Sequence, residues 1–309
     1  MGRSLLMHAI LIASNDLNLI IDEFRALNIR YHLNEEAALY VMTFGYMIDD
    51  CTLINEVNRL GPGKYLKYSD GNLVIQTYYY PEMKESSVSE DDAIELIDQA
   101  FRKAVQRCFD KDLEYGYTRH LADMSGGLDS RMVSWVAKEM GYSNVVNISY
   151  SQSDSDEYKD ASLVSSHLGN MFMHEQMDDA GFLFDTDKIV DMQYGSAVYY
   201  GITGGERLLR SLSFDEFGLE HTGQLGDVIL GTYTQADIPI DTPYKRYSNI
   251  LEVQIPEAIK TQHGNMEKFL MYSRGFLGVL STHMIRRNYT YAVSPFLDVD
   301  FLNVCFPCL

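Results

Sequence analysis

The stretch Asp123-Met124-Ser125-Gly126-Gly127-Leu128-Asp129-Ser130-Arg131 decides how this chain folds. Before it, HLADM (residues 120–124) has the apolar character of a short strand. After it, residues 129–140 carry a helical pattern that stops at Gly141. Two glycines at a strand-to-helix turn let the backbone approach an anion, and the first N–H groups of the helix point at it. Ser125 and Ser130 add hydroxyl donors for phosphate oxygens. Asp129 is out of place in a loop that binds only an anion, unless a divalent cation sits between carboxylate and phosphate. Three residues, S-G-G, would mean no more than a tight turn. The string SGGLDS between a strand and a helix reads as a phosphate loop.

Downstream the chain alternates. NVVNISY is a strand, DEYKDASLVSSHL a helix closed by Gly169, and NMFMHEQ a strand. Helical stretches follow around 179–193 and 203–214, and then the strand GLEHT. Strands separated by helices imply βαβ units, so the expected fold is α/β, a doubly wound, mostly parallel sheet. Upstream, Ser89 followed by Asp92 resembles a capping box. It opens a helix with Ile94, Ile97, Phe101, Val105 and Cys108 on one face. Residues 81–91, polar and headed by Pro81, read as a linker.

The first 80 residues read as a small β-rich segment. HAILIAS is expected to be a strand rather than a signal peptide, NEEAALYVMTFGYM a helix stopping near Gly45, and YLKYSDGNLVIQTYYY a hairpin turning at Ser69-Asp70-Gly71-Asn72. GPGK is not a Walker A loop, because Lys64 is followed by Tyr65. At the other end, FLNVC is expected to be a helix that stops before Pro307, which makes Cys305-Phe-Pro-Cys308 a weak redox candidate.

The formal net charge of −19 repels nucleic-acid phosphates and anionic lipid, so neither is an expected partner. A polyanion must then be held locally, by backbone N–H groups, a few cations and metal. Four cysteines without a framework suggest a reducing compartment, and no apolar run suffices to span a membrane, so the expected location is cytoplasmic.

SGGLDS resembles the pyrophosphate loop of ATP pyrophosphatases, and further motifs resemble the asparagine synthetase family. Thr222-Gly223-Gln224-Leu225-Gly226-Asp227 resembles that family's second motif, and Ser294-Pro295-Phe296-Leu297-Asp298 its V-P-F-L-D. EEAALYVMTFGYM followed by LGPGKYLKY resembles the end of its glutaminase domain. The resemblance implies a fold of the ATP-pyrophosphatase type over residues 90–309, preceded by a glutaminase-like remnant over 1–85. It implies ATP with Mg2+. Ser125, Gly126, Gly127, Asp129 and Ser130 would hold the phosphates, while Met124, Tyr150, Thr222 and Gly223 would lie near the adenosine. Asp129 and Asp227 would ligate magnesium, and Gln224 and Asp227 would stand at the catalytic positions.

The expected reaction is adenylation of a small carboxylate, by default aspartate, followed by attack of ammonia or another amine. Several positions depart from the family pattern. Residue 2 is Gly rather than the nucleophilic Cys, so a separate glutaminase or completing subunit becomes a candidate partner. Gln224 replaces a Glu that would accept a proton. The family's lysine would lie beyond Leu309; Arg286 and Arg287 are nearby cations, with surface salt-bridging as the plainer expectation. Asp123 stands where an apolar residue is usual and would repel ATP unless it faces away or binds a cation. His120 is expected to be a structural partner. A truncated or degenerate homologue that binds nucleotide without catalysis is the alternative reading.

Overall fold

A computed structural model describes residues 11–81, 87–196, 205–233, 239–240 and 253–308. The N-terminal part holds helices α1 (Leu17–Ala26) and α2 (Glu35–Phe44) and the hairpin β1 (Lys64–Ser69) and β2 (Asn72–Thr77). Asn34 caps α2 by accepting from the Ala37 N–H, and Gly45 ends it at φ 83°. The hairpin turn pairs Ser69 with Asn72 and places Asp70 and Gly71 at φ 52° and 78°. Those angles explain why the sequence needs Asp-Gly there. The expected HAILIAS strand is not found: residues 8–10 lie outside the described residues, and 11–14 form no strand. Helix α1 was not foreseen.

After the Ser89 cap comes the long helix α3 (Glu90–Glu114). It is followed by β3 (Arg119–Asp123), α4 (Leu128–Glu139), β4 (Val145–Ser151), α5 (Asp156–Leu168) and β5 (Met171–Gln176). The chain continues through α6 (Thr186–Met192), α7 (Glu206–Ser211), β6 (Phe217–His221), α8 (Glu257–His263), α9 (Met266–Leu270), α10 (Thr282–Arg286), β7 (Ala292–Val293) and α11 (Val299–Cys308). Helix α11 runs on through Pro307, so the expected stop before that residue is wrong. Asp298 explains the other end of α11, accepting from the N–H groups of Asp300 and Phe301.

The five-stranded sheet has the order β5-β4-β3-β6-β7, and every pairing is parallel. Alternate residues of one strand serve opposite faces. Ala122 of β3 joins the larger core with α3, α4 and α11, while Leu121 joins Val146, Ile148, Leu208 and Phe217 on the other side. The sheet is therefore covered on both faces, as a doubly wound fold requires. From β3 the chain winds out to β4 and β5, then returns to lay β6 on the opposite flank. The order reverses between β3 and β6, where ligands collect beyond the strand carboxyl ends.

Helix α3 ties those two strands together. Its Asp112, fully buried, lies 2.6 Å from His120 Nδ1 on β3 and 2.7 Å from His221 Nε2 on β6, and it accepts from the Leu219 N–H at 2.7 Å. Burial pushes the Asp112 carboxyl up, but the hydrogen bonds from both imidazoles and Leu219 outweigh it and hold the pKa below the usual carboxylate value. An ionised Asp112 only accepts, so both ring nitrogens donate. Burial also lowers the His221 pKa, and its ring stacks on Phe109 at 3.9 Å. Among the described residues this is the only group of three that could also hold a metal. Its spacings of 2.6 and 2.7 Å are those of hydrogen bonds, and His120 is the structural partner expected. Removing the acceptor leaves three buried donors unpaired. Asp112→Ala is expected to destabilise the chain by roughly 3–5 kcal/mol, read from the urea midpoint at unchanged slope. A loss below about 1 kcal/mol would mean that the clamp is redundant.

Candidate functional site

Strand β3 ends at Asp123, and the Met124 N–H donates to Ile148 O at 2.8 Å, keeping the next residue in register with β4. The chain then turns through Ser125-Gly126-Gly127 into α4. Gly127 is the helix N-cap and has no side chain to close the first turn, so the N–H groups at this end are left for a ligand. The serines brace the turn. Ser130 Oγ accepts from the Ser125 N–H at 3.0 Å, and Ser125 Oγ accepts from the Gly127 N–H at 3.2 Å. Gly126 is required by packing: a Cβ there would stand 3.0 Å from the Glu157 Cα of α5.

The second motif leaves β6 and folds back onto this loop. A Cβ on Gly223 would lie 2.6 Å from the Asp129 carbonyl carbon, and one on Gly226 would lie 2.5 Å from Asp129 Cγ. Gly223 therefore permits backbone-to-backbone contact, and Gly226 makes room for the Asp129 side chain. The Asp227 N–H donates to Asp129 Oδ2 at 3.0 Å. Between them Leu225 adopts φ 65° while its side chain is buried in the larger core. A non-glycine residue in that conformation stores on the order of 1–2 kcal/mol of strain. The 294–298 motif supports the turn from behind, where Ser294 Oγ donates to Gln224 O at 2.8 Å.

These pieces enclose a cavity of about 300 Å³ beyond the carboxyl ends of β3, β4 and β6. Met124, Ser125, Gly127, Asp129, Ser130, Tyr150, Gly223, Gln224 and Asp227 all line it, so nine of the sequence-expected site residues meet in one place. Two do not reach it. Gly126 contributes its packing against α5 instead, and Thr222 is buried at the strand end, its hydroxyl donating to Val293 O at 3.2 Å. The sequence reading missed Ser149 and Glu157. Ser149 was legible as the neighbour of Tyr150 at a strand end. Glu157 belongs to the acidic stretch opening α5.

The lining carries four carboxylates, Asp123, Asp129, Glu157 and Asp227, and neither Lys nor Arg. Burial first, then the nearby Asp227, pushes the Asp129 pKa up despite the hydrogen bond from the Asp227 N–H. Burial likewise raises the Glu157 pKa. Two carboxylates brought together from different strand ends fit a divalent cation, which would relieve their repulsion.

Asp123 is different. Its Oδ2 meets Arg286 at 3.1 Å, and Arg286 Nε meets Glu220 at 2.8 Å, with the guanidinium and the Glu220 side chain fully buried. Arg286 is thus not a surface cation. Burial drives the Glu220 pKa well up, against the opposing pull of the Arg286 guanidinium. Arg286 stands directly against Asp123 and offsets its charge toward an anion. Arg286 also donates to Tyr150 Oη at 3.1 Å, fixing that ring beside the cavity. Arg287 points elsewhere, donating to Tyr194 Oη at 2.8 Å and to Asn15 O. Gln224 donates from Nε2 to Thr282 Oγ1 at 2.7 Å, and its Oε1 has no partner.

Residues 96–212 match the asparagine synthase family model. The asparagine synthase match runs from within α3 to the end of α7 and contains the whole 125–130 loop. The turn at 222–227 and the 294–298 motif lie beyond it. No curated protein matches the chain. Among solved structures it is similar to the NH3-dependent NAD synthetase from Campylobacter jejuni in complex with the nitrate ion, at 16% identity and a TM-score of 0.32. That similarity covers 46% of this chain and 61% of the NAD synthetase chain.

The contact between turn and loop is directly testable. Gly223→Ala forces backbone apart at Asp129 and Ser130. It is expected to weaken MgATP binding by about tenfold or more, a cost of at least ~1.4 kcal/mol. Isothermal titration calorimetry reads this, and unchanged affinity would show that the two motifs need not touch.

Proposed function

We propose that this chain is an ATP-dependent, amide-forming ligase of the asparagine synthetase type. The observation that carries the reading is the meeting of SGGLDS and the 222–227 turn, with Asp129 and Asp227 side by side over a cavity at the sheet's switch point. The loop N–H groups and the Ser125 and Ser130 hydroxyls hold the β- and γ-phosphates. Met124, Tyr150 and Gly223 bound the nucleoside end. Asp129 and Asp227 would hold magnesium, which when bound neutralises phosphate charge that Asp129, Asp227 and Glu157 would otherwise oppose.

A substrate carboxylate then attacks the α-phosphorus, the bond to the β-phosphate oxygen breaks, and pyrophosphate leaves. An amine attacks the acyl-adenylate carbon, AMP leaves, and the amine loses a proton. Aspartate with ammonia is the default substrate pair. Gln224 lines the cavity beside the reactants but takes no proton at neutral pH.

Cys51 is poorly suited to act as a glutaminase nucleophile. Cys51 donates to Ile48 O at 2.7 Å, and burial pushes its pKa to about 11. Nitrogen would then arrive as free ammonia, an amine or the product of a partner subunit. A second reading, nucleotide binding without catalysis, is favoured by Gln224 and by the lack of a lysine or arginine in the lining.

Exchange of labelled pyrophosphate into ATP separates the two. Aspartate-dependent exchange is the expected result. MgATP binding with no exchange for any of a panel of carboxylates supports the second reading. Asp129→Ala is expected to weaken MgATP binding by more than about tenfold, and retained affinity would sink the metal assignment.

A further inference from the structure

The candidate nucleotide cavity has neither Lys nor Arg in its lining, although a triphosphate would bring several negative charges to it. A cation stands behind the loop instead. Arg131, the fourth residue of α4, turns back and donates from Nη2 to Gly126 O at 3.0 Å. It is half-buried, and its Nε is shut off from water without a partner. Arg102, Arg107 and Arg286 all meet carboxylates. Among the described residues Arg131 meets none, in a chain of net charge −19. The helix dipole also disfavours a cation near the N-terminus of α4. An anion on the far side of the loop would offset both costs.

The bond to Gly126 has a consequence for the loop itself. Two consecutive glycines leave the peptide between them free to turn over, since neither has a Cβ to resist it. One orientation offers an anion the Gly127 N–H. The other offers it the Gly126 carbonyl oxygen, which repels it. In a planar trans peptide the C=O and N–H point to opposite sides. Arg131 holds the Gly126 oxygen, so the Gly127 N–H points away from Arg131, to Ser125 Oγ at 3.2 Å. Ser125 and Gly127 line the cavity, whereas Gly126 and Arg131 do not. Helix α5 closes the loop at Gly126, where a Cβ would meet Glu157 Cα at 3.0 Å and Asp160 Cβ at 3.3 Å.

We propose that Arg131 is a positioning residue for the phosphate chain of the nucleotide. Its bond to the Gly126 carbonyl keeps that oxygen away from the anion and the Gly127 N–H toward it. The guanidinium also polarises the peptide it binds, which strengthens the N–H on the far side. Positive charge thus reaches the phosphates through one peptide, from a side chain that does not touch them. This role rests on the nucleotide reading of the site.

Isothermal titration calorimetry on the full chain, with MgATP, magnesium pyrophosphate and adenosine as probes, tests it. Arg131→Met keeps the unbranched stem and removes the charge and the donors. It is expected to weaken MgATP and magnesium pyrophosphate by about tenfold each and to leave adenosine at the wild-type affinity. A variant that binds MgATP as the wild type does overturns the proposal. So does an equal loss for all three probes, which is what a general loosening of the structure would give. A wild-type chain that binds neither MgATP nor magnesium pyrophosphate overturns the nucleotide reading and this role with it, so the two failures are told apart by the wild type. Should Arg131→Met not fold, Arg131→Gln, which stays polar at a half-buried position, carries the same comparison with the same expected loss.

Discussion

The candidate site depends on one steric constraint, the contact of two backbones with no side chain between them. The turn leaving β6 lies against the loop leaving β3 so closely that a single Cβ at Gly223 or Gly226 would overlap Asp129. Contact of this kind gives Asp129 and Asp227 a fixed relation, because the Asp227 N–H holds the Asp129 carboxylate directly. The strained backbone of Leu225 belongs to the same arrangement. Its side chain is anchored in the core, and the core holds the turn in a conformation that the residue alone would not choose.

The sheet was legible because its parts announce themselves locally. Ser89 and Asp92, the Asp70-Gly71 turn, and Gly45, Gly141 and Gly169 mark ends whose causes lie within a few residues. The glycines of SGGLDS and of the 222–227 motif also marked the two turns that meet at the cavity, though not why each was needed. Gly126 and Gly223 looked alike as anion-loop residues. In fact one makes room for α5 and the other for the opposite loop. Where the reading failed, the deciding partner was distant in sequence. Nothing near Arg286 reveals that Glu220 and Asp123 will bury it, so it read as a surface cation. Pro307 likewise implied a helix end that the fold does not make.

The buried Arg286 group also changes how the cavity's acidity should be understood. Four carboxylates line the void, but Asp123 is matched by a guanidinium immediately behind it. The uncompensated charge is therefore concentrated at the loop end, around Asp129, Asp227 and Glu157, and not spread over the whole cavity. A ligand that arrives with cations at one end and an uncharged ring at the other suits that gradient. Tyr150, held by the same arginine, stands at the boundary between the two.

The Asp112 clamp bears on where this protein can be cut. The segment shared with the asparagine synthase family closes at residue 212, between the helix that supplies the carboxylate and the strand that supplies two of its three donors. A fragment ending there keeps the buried charge and loses His221 and the Leu219 N–H. The matched stretch of sequence therefore does not contain the whole clamp. A piece that keeps the clamp whole extends at least through β6, past the end of the matched segment.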